Sequence, residues 1–465
     1  MRPGREARLT SGAGSGVLLI TPEPLAARMA GPAIRCLELG RALARSGRVG
    51  PVTVASLATA ELADPDVDVV AADAAVLRRL VAGVGSVVVQ GDVLGLHPWL
   101  VDVDVPLVVD AYDPFHLEQL EQGRTLGEAR RRSVVRDAVR ALDVQLARAD
   151  LVLCASDRQR ALWTGHLAAL GRVNPVVYDA APDLSALLVV VPFGTPDRPA
   201  RGGNRAAISA AVPGIGPDDR VIVWGGGIYD WFDPATVIRA VGRLAADRPD
   251  LRLLFLGTRH PAQGGVGAAT TERARALAAE LGLLDTVVHF HHDWVPHDEL
   301  DRWLSAAVAG VSAHTLHLET EYSFRTRLVD YLWCGRPVVT TAGDELAARV
   351  AASGAGVAVP AGDDDAYTAA LAGLLDDRAR WDDASAAALA LGRDLAWSRA
   401  VGPLAEFCAA PRRAPDLVLG AADRELLGIR SGATRGSLRA RIGAALREGG
   451  LRLVLARLRR RVIGR

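Results

Sequence analysis

The chain has 465 residues and a mass of 49.0 kDa, which at roughly 150 residues per domain excludes a small single-core binding module and implies two large units or three smaller ones. Half of the residues are hydrophobic and 23% are charged, which excludes global disorder. The 54 basic residues, all of them Arg, balance 54 acids at a pI near 7.2, so no nucleic-acid partner is expected, and any site that would employ Lys must use the planar guanidinium fork instead.

Residues 1–16 lack an apolar period and read as a flexible tail. Val17-Leu-Leu-Ile20 is a short apolar run that ends near Pro22. A turn-rich loop follows to Pro32, and Ile34, Leu37, Leu39 and Leu43 then fall at helical spacing. The pattern recurs through Val52 to Ser56, Ala74 to Val81, Ser86 to Gln90, Leu107 to Asp110, a long helical stretch from Gly127 to Ala149, and Leu151 to Ala155. Buried strands alternating with helices predict a parallel sheet covered on both faces, in a first domain of residues 17–195.

Residues 196–219 are dense in Pro and Gly and read as an interdomain linker. A second series follows over 220–395, with strand candidates Val221–Trp224, Leu251–Leu256, Val287–Phe290, Ala307–Val311, Pro337–Thr340 and Gly356–Val359. Helical segments lie between them near 234–246, 271–282, 297–306, 324–334, 344–352 and 364–375. The fold class is α/β: two Rossmann-like domains facing each other across a cleft, because ligands of such sheets bind at the carboxyl ends of the strands.

Residues 396–415 read as a crossover helix region, and 416–465 as a basic C-terminal helical extension. From Gly432 onward, ten Arg alternate with apolar residues against the single acid Glu448. Such a segment either docks on anionic lipid or packs on the body with a solvated Arg face. Cys36, Cys154, Cys334 and Cys408 lie too far apart for a zinc cluster or disulfide scaffold, and no apolar run reaches the length of a spanning helix. The reading is a cytoplasmic protein, peripheral to the inner membrane face if the basic segment binds lipid.

Three motifs carry chemistry. Gly31 opens the helix after the first strand, where free backbone amides and the positive end of the helix dipole suit a phosphate; an ordinary strand-to-helix turn reads the same way. Gly225-Gly226-Gly227 follows a buried strand and lets backbone approach a ligand, with Tyr229, Trp231 and Phe232 either lining the cleft or packing the loop. His317-Leu-Glu-Thr-Glu-Tyr-Ser-Phe-Arg-Thr-Arg-Leu-Val-Asp330 leads from an acidic loop into a helix. Ser323, Phe324, Arg325 and Arg327 at its start form an anion site suited to a diphosphate, unless the arginines sit in surface ion pairs.

With Gly335-Arg-Pro-Val-Val339 after it, this third segment resembles the signature of the retaining GT-B glycosyltransferases of family 4. Gly31 to Leu43, Val191-Pro-Phe-Gly194, Phe290 to Leu300 and Gly354 to Val359 agree in order and spacing, over roughly residues 17–408. The resemblance implies that a nucleoside diphospho-sugar donor binds mainly to the second domain, with Asp330 in place of the glutamate that holds the donor ribose. Asp293 and Trp294 fall where the base is contacted.

The glutamate that contacts the donor sugar falls on Tyr322 by strict count, and the role is assigned to Glu321, with Glu319 as fallback. The family's loop cations are missing after Trp224, so Arg325 and Arg327 substitute for them, with Arg259 in reserve. In the first domain, Asp110, Asp113, His116 and Glu118 crowd one strand end. His116 or Asp113 is expected to hold the donor or orient the acceptor hydroxyl, with His97 as a further candidate. His289, His291, His292 and His297 do not converge at metal-ligand spacing, and the resemblance implies no metal and no cofactor beyond the donor.

The expected function is a retaining sugar transfer to a hydroxyl of a glycan or polyprenyl-linked acceptor, in surface polysaccharide or glycoconjugate assembly. A sugar-nucleotide epimerase of the same fold and a noncatalytic binding protein are the alternatives.

Overall fold

The computed structural model describes residues 16–203, 205–258 and 268–429. Tail residues 1–15, Arg259 and the basic segment 430–465 lie outside the described residues. The first sheet has seven strands: β1 (Val17–Thr21), β2 (Val52–Ser56), β3 (Asp68–Ala71), β4 (Ser86–Gln90), β5 (Leu107–Asp110), β6 (Leu151–Cys154) and β7 (Leu188–Val190). The second has β8 (Arg220–Gly225), β9 (Leu251–Leu256), β10 (Val288–His291), β11 (Ala309–Ser312), β12 (Val338–Thr341) and β13 (Gly356–Val359).

All of these pairings are parallel, in the orders β3-β2-β1-β4-β5-β6-β7 and β10-β9-β8-β11-β12-β13. Val, Leu and Ile fill the central strands because helices cover both faces, and β1 and β4 are buried along their whole length. Chain direction across each sheet reverses at β1/β4 and at β8/β11, which places the crevices for ligands beside Thr21, Gln90 and Gly225.

The two-domain α/β reading holds. Strand β3 escaped it because its residues, Asp-Val-Val-Ala, are half-exposed at a sheet edge and show no clean apolar run. Strand β7 also escaped it, although Leu187 to Val191 is a continuous apolar run. Residues 196–219 are not a bare linker. They include a helix at Arg205–Ala211, and Ile208, Val212 and Ile215 pack on Val221 and Leu254 of the second sheet. An unanticipated helix at Arg378–Asp394 lies against the helix at Thr326–Trp333, close enough that a Cβ on Gly392 would stand 3.0 Å from the Leu332 carbonyl.

The domains join at a tight crossing. Thr195 N–H donates to the Leu395 carbonyl at 3.0 Å, and Trp397 N–H donates to the Thr195 carbonyl at 2.9 Å. Trp397 is buried against Phe193, and a Cβ on Gly194 would come within 2.5 Å of its ring. Past helix Gly402–Ala409 the chain returns to the first domain, where Arg172 grips Asp416. Nε and Nη2 donate to the two carboxylate oxygens at 2.7 and 3.1 Å, and the remaining donors reach the carbonyls of Leu146, Ala147 and Ala149.

Both partners are fully buried, so Arg172→Met would strand a carboxylate in the core. Urea unfolding of this variant should show a loss of about 3–5 kcal/mol, largely restored when Asp416→Leu is added. Gly310→Ala should also destabilise, because its Cβ would lie 2.3 Å from the buried Tyr331 ring.

Candidate functional site

A cleft of about 520 Å³ opens between the two domains at the carboxyl ends of both sheets. On the second-domain side, Gly225 to Gly227 turn away from β8, with Gly226 in the left-handed region at φ +86°. Two of the loop amides are already engaged within the protein: Gly225 N–H donates to the Tyr331 hydroxyl at 2.6 Å, and Gly226 N–H to the Leu256 carbonyl at 2.8 Å. Tyr331 in turn donates to the Val311 carbonyl at 3.1 Å, fixing the loop to the strand beside it. Tyr229, Trp231 and Phe232 all line the cleft.

Arg325 and Arg327 flank the start of helix Thr326–Trp333, and their surroundings differ. Arg325 Nη1 and Nη2 make a bidentate pair with Glu319 at 3.0 and 2.7 Å, both residues being buried, so its charge is already balanced. Arg327 lies 4.1 Å from the centroid of the Phe232 ring and 4.9 Å from that of Trp224. One of its nitrogens donates to the Gly227 carbonyl at 2.8 Å, and Nη1 is buried with no partner among the described residues. Burial lowers its guanidinium to about 10, against the pull of Tyr331 and Tyr229. An anion beside it would restore the ordinary range. Asp330, one helical turn further on, also faces the cleft, and burial raises its carboxyl to about 6 in spite of His297 and Arg327.

From the first domain come the uncapped start of helix Gly31–Arg45, where Ala30 offers no side-chain cap, and the loop after β5 with Asp113 and Glu118. Beneath that loop Asp110 accepts two hydrogen bonds from the buried Arg35 at 2.8 Å each, and Arg35 also donates to the Val191 carbonyl. Asp110 is therefore a support of the cleft floor. Asp113 is raised to about 7 by burial and by the neighbouring charges of Glu319 and Asp110, and Glu118 is raised well above the usual carboxylate range by burial, Asp113 and Glu319.

Of the residues expected from sequence, Gly31, Gly226, Gly227, Ser323, Phe324, Arg325, Arg327, Asp330, Asp113 and Trp294 come together on this cleft. Glu321 does not. It is exposed in a separate depression with Arg158, His317 and Gly343, because the turn Leu318–Tyr322 is helical and points residues 319 and 321 to different sides. Glu319 occupies the cleft instead.

His116 is also displaced. It packs against Trp163 at 5.8 Å, and burial lowers its imidazole to about 4. Asp293 is exposed and outside the cleft, leaving Trp294 alone near the expected base position. Arg325 does not offer the free cation expected of it. The four histidines near 289–297 face different neighbours: His291 stacks on Trp303, His292 bonds Thr258, and His297 stands 3.6 Å from Glu38. Sequence reading did not anticipate His297, Gln90 or Tyr331 on the cleft. The six-residue offset between Glu319 and Arg325, one turn of helix plus its entry, was the available signal for their pairing.

The raised carboxyl of Asp113 fixes a pH signature. Its folded value lies above the ordinary unfolded one near 4, so the folded state binds the extra proton, and that stabilisation fades as pH climbs through about 7. Asp113→Asn should lack this slope, its melting temperature gaining on that of the parent between pH 5 and pH 8. Parallel curves would contradict the placement.

Residues 219–377 match the family model for glycosyl transferases group 1. D-inositol 3-phosphate glycosyltransferase of Thermobispora bispora is 32% identical over 194 residues, covering 42% of this chain and 44% of that protein. Enzyme 2 of that name from Catenulispora acidiphila is 30% identical over 207 residues, covering 44% and 46%. The matched region thus spans under half the length of these curated relatives.

Among solved structures, HepE of Anabaena, determined with UDP and glucose, superposes with a TM-score of 0.62 at 13% identity, over 85% of this chain and all of that one. WaaG, a glycosyltransferase involved in lipopolysaccharide biosynthesis, gives 0.60 at 16% over 85% and 100%, and sucrose-phosphate synthase of Thermosynechococcus elongatus 0.58 at 18% over 84% and 98%. At these identities the likeness concerns fold. The chain therefore has the GT-B fold, and its second domain belongs to the glycosyl transferases group 1 family.

Proposed function

We propose that this protein is a retaining glycosyltransferase that moves a sugar from a nucleoside diphospho-sugar to a hydroxyl of an acceptor held against the first domain, in glycoconjugate or polysaccharide assembly. The observation that carries the reading is Arg327: a buried guanidinium with an unpartnered nitrogen, beside a glycine turn, on the domain that carries the family match. The curated relatives are named for glycosyl transfer, and HepE was solved with UDP-glucose.

In this reading the donor lies along the second domain. Asp330 accepts hydrogen bonds from the ribose diol, and Trp294 packs near the base. Arg327 meets the diphosphate together with the free amides at the start of helix Gly31–Arg45, which faces it across the cleft. The acceptor oxygen forms its bond to the anomeric carbon as the bond to the diphosphate breaks. The acceptor proton passes to the departing phosphate oxygen, and the sugar keeps its configuration. Arg327 supplies positive charge where it accumulates, so the reaction needs no metal and no cofactor besides the donor.

Contacts beside the cleft join the two domains. Arg28 donates to the Trp294 carbonyl at 2.7 Å, His297 N–H to the Ala27 carbonyl at 2.9 Å, and Gln159 to the Tyr322 carbonyl at 2.8 Å. Among the described residues no helix is long and apolar enough to cross a membrane. A peripheral location and a polyprenyl-linked acceptor would rest on the basic segment beyond residue 429.

A thermal-shift series with UDP, GDP, ADP and dTDP sugars should show stabilisation by one base, and the product anomer read by NMR should match the donor. Arg327→Ala should lose that shift and reduce transfer about 10²- to 10³-fold, with chelator-treated protein keeping full activity. Full transfer by Arg327→Ala, or an inverted product, would overturn the scheme.

A further inference from the structure

The chain pairs its deeply buried acids with arginine. Asp110 meets Arg35, Asp150 meets Arg148 and Arg413, Asp301 meets Arg198 and Arg201, Asp416 meets Arg172, and Glu319 meets Arg325. Asp344, buried without a guanidinium partner, caps the helix at Glu345–Ser353. The other acids on the first-domain wall of the cleft are half-buried or exposed and have no such partner among the described residues. That wall presents the carboxylates of Glu23, Asp92, Asp113 and Glu118 beside the Asp110 already paired with Arg35, and among the described residues no Arg of that domain lines the cleft with them. Arg28, at the rim, gives its Nε to the Trp294 carbonyl.

Asp92 caps the amide of Gly95, while no hydrogen bond or ion pair within the protein holds the Asp113 or Glu118 carboxylate among the described residues. Burial raises all four carboxyls above the ordinary range, so each would gain from a cation brought into the cleft. Arg325, the guanidinium closest to this end, is already matched by Glu319. It is 6% exposed, lines the cleft, and keeps a buried Nε–H with no partner. The site thus offers carboxylates for an ammonium group and one donor for a neighbouring oxygen.

We propose that the first-domain end of the cleft, centred on Asp113 and Glu118, is an acceptor subsite for an amine-bearing polyol and disfavours a phosphorylated one. The assignment rests on the glycosyltransferase reading and narrows its acceptor class. A dianionic phosphate, the group in the name of the curated relatives, would meet the carboxylates of Asp113 and Glu118 here and, among the described residues, no free guanidinium on that wall. An amino-alcohol would place its ammonium between Asp113 and Glu118 and a hydroxyl oxygen toward Arg325 Nε.

Calorimetric titration of the full chain, first with UDP and then, UDP-loaded at pH 7, with glucosamine, glucose, N-acetylglucosamine and inositol 3-phosphate, tests this. Glucosamine should bind at least tenfold more tightly than glucose or N-acetylglucosamine, and inositol 3-phosphate should not displace it. Asp113→Asn combined with Glu118→Gln should erase that preference while UDP binds within twofold of the parent. Equal binding of glucosamine and its N-acetyl form, tighter binding of inositol 3-phosphate, or no sugar binding at all overturns the subsite. Loss of the first-stage UDP signal in the parent protein would instead strike the donor reading.

Discussion

A guanidinium seated two-pronged on a carboxylate recurs at three places that the cleft depends on. Arg35 on Asp110 ties the first helix to β5 under the cleft floor, Arg172 on Asp416 returns the C-terminal crossing to the first domain, and Arg325 on Glu319 stiffens the approach to the second-domain helix. With no lysine in the chain, these contacts all use a planar fork, which fixes direction as well as charge. Breaking any one leaves a charge in low dielectric, so the pairs constrain geometry more than they add stability.

That constraint decides what charge remains for a ligand. A cation bound two-pronged by a buried acid is a poor counter-ion for a diphosphate, which removes Arg325 from the role its position suggested. Arg327 differs because aromatic faces and a carbonyl hold it, leaving one nitrogen open. The acids opposite, Asp113 and Glu118, lie in the converse state: half-buried carboxyls with no guanidinium paired to them among the described residues. The Arg327 side, with the helix start at Gly31 facing it, is thus suited to a leaving phosphate, and the Asp113–Glu118 end of the cleft to a cation or a hydroxyl.

The glycine turn after β8 shows the limit of motif reasoning. Its three glycines read as a backbone cradle, yet the Tyr331 hydroxyl and the Leu256 carbonyl engage the first two amides. What glycine supplies here is the left-handed step at Gly226 and room for neighbouring aromatics. The uncapped helix at Gly31 remains the better source of free amides.

Strand and helix periodicity in this chain determined the two parallel sheets, because strands buried on both faces must be apolar throughout, and eleven of the thirteen described strands were marked by that rule or by a breaker beside it. The sequence also limited the available cation to arginine and placed Gly31, Arg327 and Asp113 at strand ends or helix starts, with Asp330 one turn further along its helix. Tertiary structure alone decided which acid enters the cleft. Glu319 and Glu321 are two residues apart, and only the one-turn helix Leu318–Tyr322 with Arg325 in reach sends the first inward and the second to solvent. It also turned His116 against Trp163 and paired Arg325, since side-chain direction and partner choice depend on contacts across the fold that no local spacing encodes.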